Sequence, residues 1–191
     1  MVQQQKQILR EQVIAKRNSL DLDDIMEKSA IIKEKLFALK EFQDAETIMF
    51  YSSFKSEVRT MEMVEEALAL GKKIVMPITL FKENKLKLVK ITSSAGLKQN
   101  KAGIPEPISE NNEEVNPSQL DLIVAPGTAF TEDCKRLGQG WGFFDTLFSQ
   151  TTANRLGLAF EIQMVEDIPM EEHDQQLDII VSENDIFRKN I

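Results

Sequence analysis

Apolar residues recur at helical spacing through the first forty residues, and short unbroken apolar runs follow them. The pattern predicts, in order, helices over 3–18 and 23–40, a strand over 47–51, a helix over 61–70 and a strand over 73–76. The last helix ends at Gly71 and the last strand at Pro77, because glycine commonly follows a helix and proline cannot donate to a strand ladder. Strand, helix and strand at this spacing predict a parallel βαβ unit with a right-handed crossover.

A long middle segment separates these elements from a second alternating region. Residues 92–119 have little periodicity, and a connection this long within a compact domain is usually functional or mobile. Around it the pattern predicts a half-exposed strand over 85–90, a buried strand over 122–125, a helix over 141–149, strands over 156–160 and 179–181, and a short helix from Phe160 to Val165.

Together these elements predict an α/β fold, a three-layer α/β/α sandwich with a mostly parallel sheet. No clean boundary divides residues 1–191, so we expect a single domain with an inserted loop. In such sheets ligands bind beyond the carboxyl ends of the strands. The loops that follow strands 47–51 and 121–125 are therefore the expected place of a functional site.

Composition narrows the classes of function. The chain has 23 basic and 31 acidic residues and a net charge of −8, which disfavours a general nucleic-acid binder. Its apolar runs are far shorter than the ~20 residues that cross a membrane, and its start lacks the apolar region of a signal peptide. One cysteine cannot form an internal disulfide. We expect a cytoplasmic protein that binds small molecules, as a monomer or weak homodimer.

The first predicted helix has a basic stripe. Lys6, Arg10 and Arg17 fall within roughly 40° of one another at about 100° per residue. Two interpretations are open. The stripe is a solvated face, as most charged runs are, or it faces a small anion.

The segment with the clearest chemistry is RLGQGWGFFD, residues 136–145. Its three alternating glycines follow a basic residue and precede a predicted helix. Glycine lets backbone N–H groups close on an anion, and arginine can bind phosphate oxygens with two nitrogens. The spacing matches neither the P-loop nor the dinucleotide-binding fingerprint, so a purely structural turn is the alternative.

Two carboxylates could hold a metal ion near such phosphates. Asp145 directly follows the glycine loop, and Asp174 lies on a loop before the last predicted strand. Mg²⁺ favours one or two carboxylates together with phosphate oxygens and water. Alternatively, Asp145 only complements the positive end of the following helix. The neighbouring His173 could act as a base, although a solvent-facing loop histidine is the simpler interpretation.

Several segments resemble, in chain order, the motifs of 5-formyltetrahydrofolate cyclo-ligases (methenyltetrahydrofolate synthetases). Residues 136–145 resemble the signature RLGxGxGYYD, and residues 6–10 (KQILR) resemble K-x-x-[LI]-R. Further matches are EVRT (57–60), GKKIVMP (71–77), GIPEP (103–107), DLIVAPG (121–127), and GLAF (157–160) followed by Gln163, Pro169 and His173-Asp174. The resemblance extends over residues 6–183.

This resemblance implies a fold like that of ribose-phosphate isomerase and the CoA-transferases. It also implies an ATP- and Mg²⁺-dependent enzyme that converts 5-formyltetrahydrofolate to 5,10-methenyltetrahydrofolate and releases ADP and phosphate. Transfer of a phosphoryl group to the formyl oxygen gives an imidate phosphate, and the neighbouring amine then closes the ring as phosphate leaves. No protein nucleophile is required, so catalysis consists of positioning and charge stabilisation.

The resemblance assigns roles residue by residue. The implied catalytic residues are Arg136, Phe144 and Asp145, and the implied metal ligands are Asp145 and Asp174. The implied ATP-binding residues are Lys6, Arg10, Arg136, Leu137, Gly138, Gln139, Gly140, Trp141, Gly142, Phe143 and Phe144. The implied folate-binding residues are Ser52, Glu57, Gly138, Gly140, Gly142 and Phe143.

The chain departs from the family pattern at several of these positions. Phe143 and Phe144 replace paired tyrosines, which keeps the rings and removes the hydroxyl groups. Gln139 and Thr146 stand where many members have a basic residue or, at the first position, an aromatic one, and Cys134 stands where a glycine usually turns the chain. These changes lower the positive charge near the phosphates and predict weaker ATP binding or an altered substrate preference.

Two further interpretations follow from the departures. Trp141, in a position often occupied by glycine or lysine, could stack on a pterin or adenine ring or simply pack against the loop. The alternative function is a catalytically altered family member that binds folate or nucleotide. A phosphosugar isomerase of similar fold is a weaker alternative, because the motifs do not fit one.

Overall fold

The computed structural model describes residues 1–108 and 112–189. The helices are α1 (Val2–Arg17), α2 (Leu22–Ala38), α3 (Lys40–Asp44), α4 (Met61–Ala69) and α5 (Phe143–Phe148). The strands are β1 (Thr47–Phe50), β2 (Lys73–Leu80), β3 (Lys85–Ile91), β4 (Lys98–Gln99), β5 (Pro105–Glu106), β6 (Leu122–Ala125), β7 (Ala129–Phe130), β8 (Arg136–Leu137), β9 (Asn154–Leu158), β10 (Ile179–Val181) and β11 (Ile186–Arg188). Among the residues described, no helix is both long and apolar enough to span a membrane.

A mixed sheet of seven strands lies at the centre, in the order β11-β10-β9-β6-β1-β2-β3. The five inner strands, β10, β9, β6, β1 and β2, pair with one another in parallel. The edge strands β11 and β3 each pair antiparallel with their one neighbour in the sheet. The parallel pairing of β1 with β2 confirms the predicted βαβ unit, whose crossover contains α4. Two short antiparallel hairpins, β4–β5 and β7–β8, lie outside this sheet.

Helices cover both faces of the sheet, because buried parallel strands expose apolar side chains alternately to each side. Ile48 and Phe50 of β1 pack in one apolar cluster with buried residues of α2, α3 and α4. Met49, between them, packs in a second cluster with Leu147 and Phe148 of α5. These layers confirm the predicted α/β sandwich with a mostly parallel sheet. On the α5 side, α1 packs through Val13 against the β7–β8 hairpin.

The predicted end of the second strand at Pro77 is wrong. β2 continues to Leu80, and Pro77 lies opposite Leu88 of β3. The pairing of β2 with β1 extends only to Val75, so beyond that residue β2 has a sheet neighbour on one side. Proline lacks a backbone N–H, and such an edge segment tolerates it because the missing donor can lie on the side that has no sheet neighbour.

Other predicted elements differ from the structure at their ends. The predicted helix over 23–40 is divided at Leu39, whose backbone is extended, and the strand predicted over 156–160 begins and ends two residues earlier. The predicted helix from Phe160 is a single 3₁₀ turn over Glu161–Gln163. The segment 92–119 contains the β4–β5 hairpin, and its residues 109–111 lie outside the described residues.

Candidate active site

A cavity of about 430 Å³ opens beyond the carboxyl ends of β1 and β6. Residues Tyr51 and Ser52, which follow β1, and Pro126 and Gly127, which follow β6, form part of its wall. The structure brings all fifteen residues of the implied site to this wall: Lys6, Arg10, Ser52, Glu57, Arg136, Leu137, Gly138, Gln139, Gly140, Trp141, Gly142, Phe143, Phe144, Asp145 and Asp174. The expectation that the site lies at this edge of the sheet agrees with the cavity's position.

The glycine loop runs from the end of β8 into α5 with a backbone that favours glycine. Gly140 and Gly142 have φ of +95° and +70°. Because neither angle is helical, α5 begins at Phe143 rather than at the predicted Trp141. A Cβ on Gly140 would lie 3.4 Å from the guanidinium carbon of Arg10. The Arg10 guanidinium therefore packs beside the loop, within van der Waals distance of this position.

Arg10 joins α1 to the glycine loop. Its Nε donates to the backbone carbonyl of Gly138 at 2.8 Å. Burial lowers the pKa of Arg10, and the negative charge of Asp174 opposes that effect. The bond fixes one edge of the guanidinium, while the terminal nitrogens lie at the cavity wall near Gly140.

Arg136 is a buried cation at the base of the loop. Its Nη2 donates to Asp145 Oδ2 at 3.1 Å, and its Nη1 donates to the carbonyl of Pro126 at 3.2 Å. The guanidinium carbon lies 5.6 Å from the centre of the Phe144 ring and 5.5 Å from that of Phe148, within cation–π distance. Burial lowers the pKa of Arg136, and Asp145 opposes this effect. Four contacts therefore hold this side chain in place.

Lys6 is also buried, with 3% of its surface exposed. Its Nζ donates to Glu171 Oε2 at 2.9 Å and to Asp174 Oδ2 at 2.5 Å. Burial lowers the pKa of Lys6, but the bonds to these carboxylates more than compensate and raise it overall.

The basic stripe of α1 is not a solvated face. Arg17, like Lys6, is buried, with only 4% of its surface exposed, so that interpretation is wrong.

Three possible metal ligands lie together in the segment that contains Asp174, and the implied ligand Asp145 is not one of them. Glu171, His173 and Asp174 can each offer a ligand atom, and these atoms lie within 4.8 Å of one another. Asp145 Oδ1 accepts the backbone N–H of Gln175 at 3.1 Å, which ties α5 to the same segment. Carboxylate oxygens are the ligands that Mg²⁺ prefers, so this donor set fits the implied ion. The His173 side chain is 69% exposed, which confirms the solvent-facing interpretation.

A second polar group of the cavity wall lies in the loop after β1. Glu57 is 8% exposed, and its Oε2 accepts the backbone N–H of Phe54 at 3.0 Å. Burial raises the pKa of Glu57, and the positive charge of Arg17 only partly offsets this effect. The buried hydroxyl of Ser52 has no hydrogen-bond partner among the described residues. Both residues belong to the cavity wall, and the protein leaves the carboxyl group and the hydroxyl group without full compensation.

Aromatic rings form one rim of the cavity. The rings of Trp141 and Phe143 lie 6.2 Å apart at 10° to one another, and Phe81 meets each of them edge-on at 6.0 Å. Trp141 is 61% exposed. It therefore packs against aromatic neighbours and also presents a free face to solvent, which agrees in part with both interpretations of this residue.

Sequence reasoning did not assign a site role to several residues of the wall. Phe81 belongs to the β2–β3 turn, and Lys55 to the loop after β1. Glu106, on β5, accepts the backbone N–H of Thr79 at 3.1 Å and also its hydroxyl. The motif GIPEP, which includes Glu106, was a signal for this last residue. The sequence carries no comparable signal for Phe81 or Lys55.

Cys134 has the backbone conformation that its position in the motif predicts. Its φ is +67°, a region that favours glycine, and the residue is fully buried. Burial raises the pKa of its thiol to about 11, so the reactive thiolate is scarce near neutral pH. The side chain therefore acts as a small apolar group.

Comparison with known proteins places the chain in a family. The family model described as "5-formyltetrahydrofolate cyclo-ligase family" matches residues 2–183. The chain belongs to this family. A cyclo-ligase from Mus musculus is 28% identical over 190 residues, with 94% of each chain covered, and one from Haemophilus influenzae is 30% identical over 185 residues, with 93% of this chain and 98% of the relative covered.

Solved structures agree with this membership. The NMR structure of Aquifex aeolicus 5,10-methenyltetrahydrofolate synthetase has a TM-score of 0.86 at 30% identity, covering 97% of this chain and 93% of that one. A synthetase from Mycoplasma pneumoniae has a TM-score of 0.76 at 25% identity, covering 93% and 98%. The resemblance drawn from the motifs is thereby confirmed, and with it a ligase of folate metabolism.

Proposed function

We propose that this enzyme uses ATP and Mg²⁺ to convert 5-formyltetrahydrofolate to 5,10-methenyltetrahydrofolate. The formyl oxygen attacks the γ-phosphorus of ATP, and ADP leaves. The neighbouring amine nitrogen of the folate then attacks the activated formyl carbon. Loss of phosphate and of the amine proton completes the ring. Each step is a displacement on substrate atoms, so the residues of the cavity need only orient the reactants and balance charge.

The observation that supports this function is the arrangement of charge around one cavity. Three cationic side chains, Lys6, Arg10 and Arg136, lie on its wall, and each is held by a named hydrogen bond. Arg10 and the open backbone of the glycine loop can bind phosphate oxygens. Arg136, held rigidly beside the loop, stabilises the negative charge that develops on the transferred phosphoryl group.

Asp145 and Asp174 would hold the Mg²⁺ ion, which supplies positive charge beside the triphosphate. Both carboxylates are oriented by the protein before any ligand binds. Asp145 accepts from Arg136 and from the backbone N–H of Gln175, and Asp174 accepts from Lys6 and from the backbone N–H of Glu171. The two carboxylate side chains are therefore already oriented when the nucleotide arrives.

Glu57 and Ser52, in the loop after β1, bind the folate. The buried carboxylate can accept N–H groups of the pterin ring, and the unpartnered hydroxyl of Ser52 can donate or accept. The free face of Trp141 and the ring of Phe143 offer an apolar surface for an aromatic ring. The folate is thus held between polar recognition on one side and aromatic contact on the other.

The experiment is a measurement of the near-ultraviolet absorbance of methenyltetrahydrofolate after 5-formyltetrahydrofolate is added to protein, Mg²⁺ and ATP. We expect an increase that requires all three components and falls at least ~100-fold in Asp145→Asn. The matched control is Asp167→Asn, because Asp167 also pairs with a cation, Lys135 at 2.7 Å, but lies outside the cavity wall. No increase in wild-type protein that still binds folate by calorimetry would overturn the reaction and support a folate-binding protein instead.

A further inference from the structure

We propose that Lys6 is a movable internal counter-ion, which occupies the carboxylates of Glu171 and Asp174 until the phosphates of ATP draw it away. The inference rests on the proposed function, because it concerns how the nucleotide and the metal ion reach the same site. Its consequence is that a divalent cation binds weakly on its own and that binding of the nucleotide raises the affinity of the site for this cation.

The first observation is the geometry of the Lys6 ammonium. It lies between two carboxylates, 2.9 Å from Glu171 Oε2 and 2.5 Å from Asp174 Oδ2. These two residues belong to the group whose ligand atoms could hold a metal ion. A positive charge of the protein therefore already lies against two of the carboxylates that could bind a divalent cation, and like charges at this separation repel strongly.

The second observation is the difference between Lys6 and Arg136, the counter-ions of the two implied metal ligands. Arg136 is fixed by a backbone carbonyl and two aromatic rings in addition to Asp145. Among the described residues, Lys6 has hydrogen bonds only to its two carboxylates, and its ammonium ends a flexible four-carbon chain. Only the counter-ion of Asp174 is therefore free to exchange its partner.

The third observation is the position of Lys6 on α1. It lies one helical turn before Arg10, so both side chains project from one face of the helix. Arg10 contacts the glycine loop, whereas Lys6 contacts the 171–174 segment, and both residues line the cavity. An anion bound along the loop beside Arg10 is therefore within the reach of the lysine chain after a change of rotamer.

The test is a titration with Mn²⁺, followed by electron paramagnetic resonance, in the absence of nucleotide and folate. We expect Lys6→Gln to bind Mn²⁺ about tenfold more tightly than wild-type protein, because the competing charge is gone while a polar donor remains. The matched control is Lys28→Gln. Lys28 pairs with Glu183 at 2.9 Å outside the cavity wall, so this variant changes the net charge equally and should bind Mn²⁺ as wild type does.

A measurement on wild-type protein complements the variants. The ¹⁵N resonance of the Lys6 ammonium should shift when ATP is added with a chelator that removes divalent ions, and Mg²⁺ alone should leave it in place. Equal Mn²⁺ affinity in Lys6→Gln and wild type would overturn the proposal. So would a lysine resonance that does not respond to bound ATP.

Neither measurement depends on turnover. An enzyme that forms methenyltetrahydrofolate but whose Lys6→Gln variant gains no Mn²⁺ affinity would refute the counter-ion role alone. A protein without that activity that nevertheless shows the gain would refute the proposed reaction and leave the competition between Lys6 and the metal ion intact.

Discussion

Gly140 has a backbone conformation that favours glycine and lies in the loop that contacts Arg10, and a pair of alanine substitutions can separate the effects of these two features. Its φ of +95° disfavours any residue with a Cβ, and a Cβ there would lie 3.4 Å from Arg10. Gly71 has a similar φ of +80°, but nothing lies within 4 Å of the position of its Cβ. Gly71→Ala therefore measures backbone strain alone, and Gly140→Ala measures the same strain within the loop that contacts Arg10.

The effect on stability follows from the backbone. Forcing an alanine into this region costs roughly 1–2 kcal/mol, and the stiffer unfolded chain returns about 0.4–1 kcal/mol. We expect both variants to lose about 1 kcal/mol in the free energy of unfolding. For a chain of 191 residues this corresponds to a decrease of about 2–4 °C in melting temperature.

The effect on ATP binding should appear in one variant only. Arg10 is anchored through Nε to the Gly138 carbonyl at 2.8 Å, so a shift of the loop backbone that relieves strain at residue 140 weakens that bond. A hydrogen bond to a charged group contributes roughly 1.5–3 kcal/mol, and partial loss of one predicts about a tenfold increase in the KM for ATP. We expect no change of KM in Gly71→Ala.

The assay combines urea denaturation with ATP titrations of the cyclisation reaction. An unchanged KM in Gly140→Ala, at the expected loss of stability, would refute the idea that the backbone at this glycine positions Arg10 at a phosphate site. Equal increases of KM in both variants would show that strain anywhere in the fold affects the site, which would also contradict the argument.

Three further outcomes test the remaining features of the structure. Cys134→Gly should be more stable than Cys134→Ala by about 1 kcal/mol in urea denaturation, the reverse of the usual order, because φ is +67°. Glu57→Gln should unfold at higher urea concentration than wild type at pH 7 and should have a higher KM for folate. Because burial raises the pKa of Glu57, this residue destabilises the wild-type fold only where its carboxyl group is ionised. The stability difference should therefore vanish below about pH 4, where the wild-type residue is protonated. Asp174→Asn should lose about 2 kcal/mol of stability at pH 7. Burial raises the pKa of Asp174, but the hydrogen bond from Lys6 opposes this effect and the pKa is lowered overall. The loss of stability in Asp174→Asn should therefore shrink as acid protonates the wild-type carboxylate, and a loss that stays constant with pH would contradict the ion pair.

The inner strands could be predicted from the sequence because burial on both faces leaves them as unbroken apolar runs. The predicted bounds of 122–125 and 179–181 are those of β6 and β10, and β1 is one residue shorter than predicted. The β7–β8 hairpin could not be predicted, because each strand is two residues long and its stability comes from α1 packing against it. For β2, the antiparallel partner β3 overrides the local signal of Pro77.

The composition of the site could be predicted better than its interactions. Motif positions identified residues that all line one cavity, since the loops after parallel strands meet at one edge of a sheet. The partners of Lys6 lie 165 and 168 residues further along the chain, and no local pattern relates them. Phe81 reaches the rim from a β-turn, where aromatic residues have no periodic signature.

Two of the three cations on the cavity wall of this acidic chain, Lys6 and Arg136, are buried and already paired with carboxylates. Unpaired cations in the cavity would be costly to hold out of water, whereas Arg136 is compensated by Asp145 and Lys6 by Glu171 and Asp174. A contact with Arg136 also accounts for the tolerance of Phe144 at a position where the family has tyrosine. Its ring lies over the Arg136 guanidinium, a contact that needs the aromatic face and not a hydroxyl group. At that position, the departure from the family motif leaves intact the packing that holds the central cation of the loop.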